Sequence, residues 1–208
     1  MRKETFTLNS SDGSSKLAGF LFLPEGEPRA VVQICHGMCE YILRYEEMAQ
    51  YLTDAGYAVC GIDHLGHGST AEMNEGGLGY FGEKGAWNNL VEDQEVERRA
   101  MSERFPDLPY FLLGHSMGSF VARLYAARYG KNLQALLISG TAGRNPAAGP
   151  GKALVALVTL FGGPCHSRLR RLHRRRTAKR EAPWEWRHTS RDGCSGQPAA
   201  AARQSRWW

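Results

Sequence analysis

The chain has 208 residues, 42% of them hydrophobic and 23% charged, with a formal net charge of +5, a length that suits one domain with a single core. The average blends two unlike parts: residues 1–163 carry 14 Lys and Arg against 18 Asp and Glu, whereas residues 164–208 carry 12 against 3. Trp184, Trp186, Trp207 and Trp208 also lie in the second part, which has almost no Leu, Ile or Val, so a uniform 208-residue globule is excluded.

In chain order, Thr5–Leu8 and Lys16–Leu23 flank the turn-rich stretch from Asn9 to Ser14 and predict a strand pair. Val31–Cys35 is a short, β-branched, nearly all-apolar run of the kind buried on both faces of a sheet. Tyr45, Met48, Ala49 and Leu52 fall at i, i+3, i+4, i+7, which predicts a helix ended by Gly56. Tyr57–Ile62 predicts a second buried strand, and a loop rich in Gly, His and Asn follows from Asp63 to Gly85. Trp87–Arg104 is highly charged and reads as a solvent-facing helix with only Leu90 and Val91 turned inward, closed by Pro106. Tyr110–Leu113 predicts a strand, Met117, Phe120, Val121, Leu124 and Tyr125 have helical spacing, and Leu133–Ser139 predicts a further strand. Strands alternating with helices imply βαβ units, so the body is an α/β fold with a mostly parallel sheet.

Met1–Leu8 is polar and alternating, without the apolar core of a secretory signal, and a cytoplasmic location is the expectation. The longest apolar run, Ala153–Phe161, is about half of the roughly 20 residues that span a bilayer. Five cysteines (Cys35, Cys39, Cys60, Cys165, Cys194) are an odd number without paired C-x-x-C spacing, so no metal site and no cofactor are expected.

The most informative segment is Gly114-His115-Ser116-Met117-Gly118, a G-x-S-x-G pattern between a predicted strand and a predicted helix. That turn strains the serine backbone and exposes its hydroxyl, which makes Ser116 the candidate nucleophile and the N–H of Met117 a candidate oxyanion donor. A second donor is needed on a loop after another central strand. His36-Gly37-Met38 follows Val31–Cys35, and Gly37 permits close approach, so the N–H of Met38 is that candidate.

Together with Asp63-His64-Leu65-Gly66-His67-Gly68-Ser69, these motifs resemble the α/β-hydrolase-fold group of monoacylglycerol lipases, lysophospholipases and serine aminopeptidases. The pattern H-G-x-x-E-H-x-x-R-Y stands here as His36 to Tyr45, with Tyr41 in place of the second His; D-x-x-G-H-G-x-S stands as Asp63 to Thr70, its final Ser one place early; G-H-S-M-G is matched in full. The resemblance runs from about residue 4 to about residue 163. It implies a serine hydrolase that cleaves carboxylic esters through an acyl-enzyme on Ser116, with Met38 and Met117 as oxyanion donors. It implies structural roles for His36, Gly37, Asp63, Gly66, His67, Gly68, Gly114 and Gly118, and a His115 side chain turned from the nucleophile into neighbouring packing. It implies a lid starting at residues 151–163 that touches lipid substrate or a membrane surface.

In such a fold the triad partners follow the nucleophile in the order acid, then His. The residues after Ser116 offer Glu181, Glu185 and Asp192, and His166, His173 and His188. Glu181 or Glu185 with His188 has the order but falls in one short stretch, so no triad acid and base are assigned. Residues 164–208 are expected to be a disordered or non-homologous tail, of the composition a reading-frame slip in GC-rich coding DNA gives. An Arg-rich tail with aromatics also has the makings of a nucleic-acid or anionic-membrane contact, but no companion motif supports it and no nucleic-acid partner is expected. The expected partner is a small ester or lipid, with the oligomeric state open. The alternatives are an inactive hydrolase-fold chain lacking acid and base, and a serine aminopeptidase.

Overall fold

A computed structural model describes residues 1–74, 77–82, 85–143, 149, 151 and 152. By contacts the chain divides into Met1–Arg144 and Asn145–Trp208, and every element named below lies in the first unit. The expected boundary at residue 163, most of the expected lid and all of the basic tail lie outside the described residues.

Six strands form one sheet: β1 (Arg2–Asn9), β2 (Lys16–Leu23), β3 (Ala30–Cys35), β4 (Tyr57–Ile62), β5 (Tyr110–His115) and β6 (Ala135–Ser139). Their order is β1-β2-β4-β3-β5-β6. β3 pairs parallel with β4 and β5, and β5 with β6, while β2 pairs antiparallel with β1 and β4. The body is therefore the mostly parallel α/β sheet expected from the alternation of elements. Every residue of β3 is buried, as a nearly all-apolar central strand requires.

The faces of the sheet follow the two-residue period of strands. Phe20, Phe22, Val32, Ile34 and Val59 pack with Ala49 of helix α1 (Glu46–Asp54) and with Ile42 of the 3-10 turn Ile42–Tyr45 that precedes it. The opposite face meets α3 (Ala86–Arg104) and α4 (Met117–Tyr129), through Leu90, Val91, Val121, Ala122 and Tyr125 against Leu17, Cys35, Ile62 and Leu112. Met101 extends this face toward Leu21, Leu23, Val31 and Ala58.

Two expectations need correction. The stretch Asp63–Gly85 contains a short helix, α2 (Gly68–Met73), within the expected loop. Its six residues are too few to show a helical period, and its start is set by a group before the helix: the Asp63 carboxylate accepts the Ser69 N–H at 2.8 Å. Helix α3 is buried along one face well beyond the expected pair, because Asp93, Gln94, Glu95 and Glu97 are buried with Leu90 and Val91. Each of these residues has a partner outside the helix that sequence spacing does not reveal. Ser10 and Ser11 hold Asp93, Tyr125 and Arg98 hold Glu95, and Gln33 of β3 donates to both Gln94 and Glu97.

Strand order also places the site. From β3 the chain passes through α1 to β4 on one side, then through α3 to β5 on the other. The carboxyl ends of β3 and β5 thus flank the point where the order reverses, which is where open α/β sheets bind ligands.

Candidate active site

The register aligns Cys35, the last residue of β3, with Gly114 of β5. The residues that follow, His36-Gly37-Met38 on one strand and His115-Ser116-Met117 on the other, therefore leave the sheet side by side. Ser116 adopts φ 50 and ψ −118, a conformation costly for a residue with a Cβ and one that persists only where the surroundings impose it. Here β5 ends and α4 begins within one residue. The Ser116 N–H donates to the Ser139 carbonyl at the end of β6 (2.9 Å), and the Ser116 carbonyl accepts from the Ser119 hydroxyl (2.6 Å).

Two glycines make the turn possible. A Cβ on Gly118 would run into the carbonyl oxygen of Cys35 and sit 2.6 Å from that of His36, so the first turn of α4 lies directly on the end of β3. A Cβ on Gly37 would lie 3.1 Å from the Ser116 Cβ and 2.8 Å from Glu40 Oε2. The loop after β3 is thus wedged between the serine and Glu40. Met117 is the first residue of α4, where a backbone N–H has no intrahelical acceptor, and the Met38 N–H donates to no acceptor among the described residues. The Met38 side chain is exposed.

Three buried histidines back this loop. The His36 and His64 rings lie 4.0 Å apart between centroids, with His67 at 5.3 Å from His36. His36 Nδ1 faces the Gly37 carbonyl at 2.8 Å, and its Nε2 accepts from the His64 backbone N–H at 3.0 Å. A carbonyl only accepts, so the proton sits on Nδ1 and the lone pair on Nε2. His64 returns the contact by donating from its Nε2 to the His36 carbonyl at 3.1 Å, and His67 donates from Nδ1 to the Leu65 carbonyl. Burial lowers His36 to about 3, and drives His64 well below the usual range, so both rings are neutral near pH 7.

The Asp63 carboxylate accepts the Ile42 N–H (2.7 Å) as well as that of Ser69, which ties the 3-10 turn and α2 to the end of β4. Burial nevertheless pushes its pKa up, against the two amides. Gly66 accepts the Gly79 N–H, and Gly68 opens α2 directly over the Asp63 carboxylate. His115 departs from expectation. It is half-exposed, and its ring faces polar groups: Ser139 Oγ at 3.4 Å from Nδ1 and Glu40 Oε1 at 3.9 Å from Nε2. The end of β5 lies beside the loop after β3, so the ring meets that loop's carboxylate.

Glu40 and Tyr45 were given no role from sequence, although both stand in the quoted pattern. Glu40 Oε2 accepts the Gly37 N–H (2.9 Å) and the Tyr45 hydroxyl (2.7 Å). Partial burial pushes the Glu40 carboxyl up, but the bonds from Tyr45 and Gly37, helped by His115 and Arg44, outweigh it and leave the pKa lowered. His64 was likewise missed, since nothing in its spacing marks it as the partner of His36. Among the described residues no group of three or more His, Cys, Asp and Glu is arranged to hold a metal, and no helix is long and apolar enough to cross a membrane. Glu181, Glu185, Asp192, His166, His173 and His188 lie outside the described residues.

A mostly parallel sheet whose fifth strand turns through a strained serine into a helix, with a glycine loop from the neighbouring strand against that serine, defines an α/β-hydrolase. The chain belongs to the family described as serine aminopeptidase, S33, which it matches over residues 26–193. It is 32% identical over 152 residues to a monoacylglycerol lipase of Mycolicibacterium smegmatis, covering 72% of this chain and 51% of that one. It is 37% identical over 124 residues to the human monoglyceride lipase, covering 59% and 39%. A thermostable carboxyl esterase from Bacillus coagulans, solved with glycerol, superposes with a TM-score of 0.70 at 37% identity, over 78% of this chain and 52% of that one. The chain thus spans about half or less of the length of these relatives.

Proposed function

We propose that this chain is a serine hydrolase acting on carboxylic esters of the monoacylglycerol or lysophospholipid kind, through an acyl-enzyme on Ser116. The observation that carries the reading is the strained Ser116 backbone, φ 50, with the Gly37 loop packed against the serine Cβ. Ser116 Oγ forms a bond to the ester carbonyl carbon and gives its proton to a base. The carbonyl oxygen takes the electron pair and lies between the N–H groups of Met38 and Met117, whose hydrogen bonds strengthen as that charge develops. Collapse expels the alcohol, which takes up the proton, and water repeats the sequence to release the acid. The names of the relatives, a monoacylglycerol lipase and a monoglyceride lipase, support a lipid ester as substrate, and an apolar lid at residues 151–163 would suit contact with it.

A fluorophosphonate probe tests the mechanism, since it forms a serine–phosphorus bond and expels fluoride only at an activated serine. Labelling of the folded chain is expected, with loss in Ser116→Ala; a folded chain that takes up no label overturns the reading in favour of an inactive hydrolase fold. The family description favours a second substrate class, peptides with a free amino terminus. Turnover of a monoacylglycerol without turnover of an aminoacyl anilide selects the esterase, and the reverse result selects the aminopeptidase.

A further inference from the structure

The Gly37 residue is gripped from both sides of its backbone by groups that the proposed reaction does not itself use. Its N–H, in the peptide plane between His36 and Gly37, donates to Glu40 Oε2 at 2.9 Å, and its carbonyl, in the next plane, accepts from His36 Nδ1 at 2.8 Å. That second plane also contains the Met38 N–H. The peptide bonds among the described residues are trans, and in a trans unit the C=O and N–H vectors point in opposite directions. Drawing the Gly37 carbonyl toward the buried His36 ring therefore turns the Met38 N–H away from that ring.

We infer that His36 and Glu40 are positioning residues that orient the Gly37–Met38 peptide so that the Met38 N–H serves the oxyanion of the Ser116 adduct. The inference rests on the serine-hydrolase reading above. Each grip is itself held. The His64 N–H occupies His36 Nε2 and so fixes the tautomer that donates from Nδ1, while the His64 ring binds the His36 carbonyl. Glu40 is anchored by the Tyr45 hydroxyl at the end of the 3-10 turn, which joins the loop to α1. With both planes fixed, little reorganisation remains to be done when charge appears, which is what makes an oxyanion donor effective.

Glu40→Ala is the discriminating variant, because Glu40 is at the surface of the cluster whereas His36 is wholly buried. Ester turnover or phosphonate labelling is expected to slow by about 10- to 100-fold, in kcat with KM little changed, since the lost alignment matters only once the oxyanion forms. Glu40→Gln keeps an acceptor oxygen and is expected to recover most of the rate. Wild-type rates in Glu40→Ala, or equal losses in both variants, overturn the inference. Amide exchange at Gly37, measured in the full chain carrying Ser116→Ala, separates this from a failure of the serine reading. Exchange about tenfold faster on adding Glu40→Ala, with Tm unchanged, upholds the grip even in a chain that never labels, and unchanged exchange refutes it.

Discussion

Strand β3 feeds two buried polar clusters, one past its carboxyl end and one in its middle. At the end, His36, His64 and Asp63 bind almost wholly to backbone groups, namely the Gly37 and His36 carbonyls and the amides of His64, Ile42 and Ser69. In the middle, Gln33 of β3 donates to Glu97 and Gln94 of α3 and accepts from the Tyr110 hydroxyl of β5, while Cys60 of β4 lies 3.7 Å from that hydroxyl. Here most bonds run from side chain to side chain. The first cluster shapes the path of loops; the second registers a helix against a sheet. Burial drives both toward neutral forms, but from opposite directions: it lowers His36 to about 3 and raises Glu97 to about 8.

The largest test of the comparison is Gly118→Ala. The new Cβ collides with the Cys35 and His36 carbonyls, which are backbone and have nowhere to go, so a loss of about 3 kcal/mol or more is expected, read as a collapse of the denaturant midpoint. An equally stable variant would break the claim that the loop cluster is fixed by backbone.

The next test is pH. The Glu97 carboxyl is raised in the folded state, so its contribution is full below about 4.5 and fades as pH rises through about 8. The His36 imidazole is lowered, so its contribution is full above about 6.5 and fades as pH falls toward about 3. Glu97→Gln is therefore expected to gain on the wild type by a few kcal/mol above pH 8, with the acid-side loss unchanged. Tm followed across pH 3 to 9 checks this, and an unchanged alkaline side would mean that Glu97 is charged in place. The smallest effect is Tyr110→Phe. Loss of the bond to Gln33 Oε1, 2.8 Å, should cost about 1–2 kcal/mol and leave the labelling rate of Ser116 unchanged, since this cluster does not touch the loops. A slowed rate would show that the two clusters are coupled.

What was legible in the sequence followed from local rules. The β-branched run Val31–Cys35 and the G-H-S-M-G turn each state their own geometry, and the order of elements gave the parallel sheet. What was hidden depended on partners far along the chain. Glu97 reads as a solvent-facing charge until Gln33, 64 residues away, is seen to donate to it. His36 and His64 are 28 residues apart, and only the parallel pairing of β3 and β4 brings them together. Helix α2 was missed for a local reason, since its six residues are too short to show a period and its start leans on Asp63. Glu40 stood in plain view in the motif, but its hold on the Gly37 amide is a matter of backbone direction, which residue type does not record.

The pairing of Cys35 with Gly114 makes the sheet a ruler for chemistry. Sliding one strand past the other by a single residue would move the loop after β3 by about 3.3 Å relative to Ser116 and turn each side chain to the opposite face. The separation between Ser116 and the Met38 amide is therefore written in hydrogen bonds that belong to neither residue. Core substitutions that shift the β3–β5 register are therefore expected to slow labelling of Ser116, whereas those that keep the register, such as Tyr110→Phe, are expected to lower stability alone.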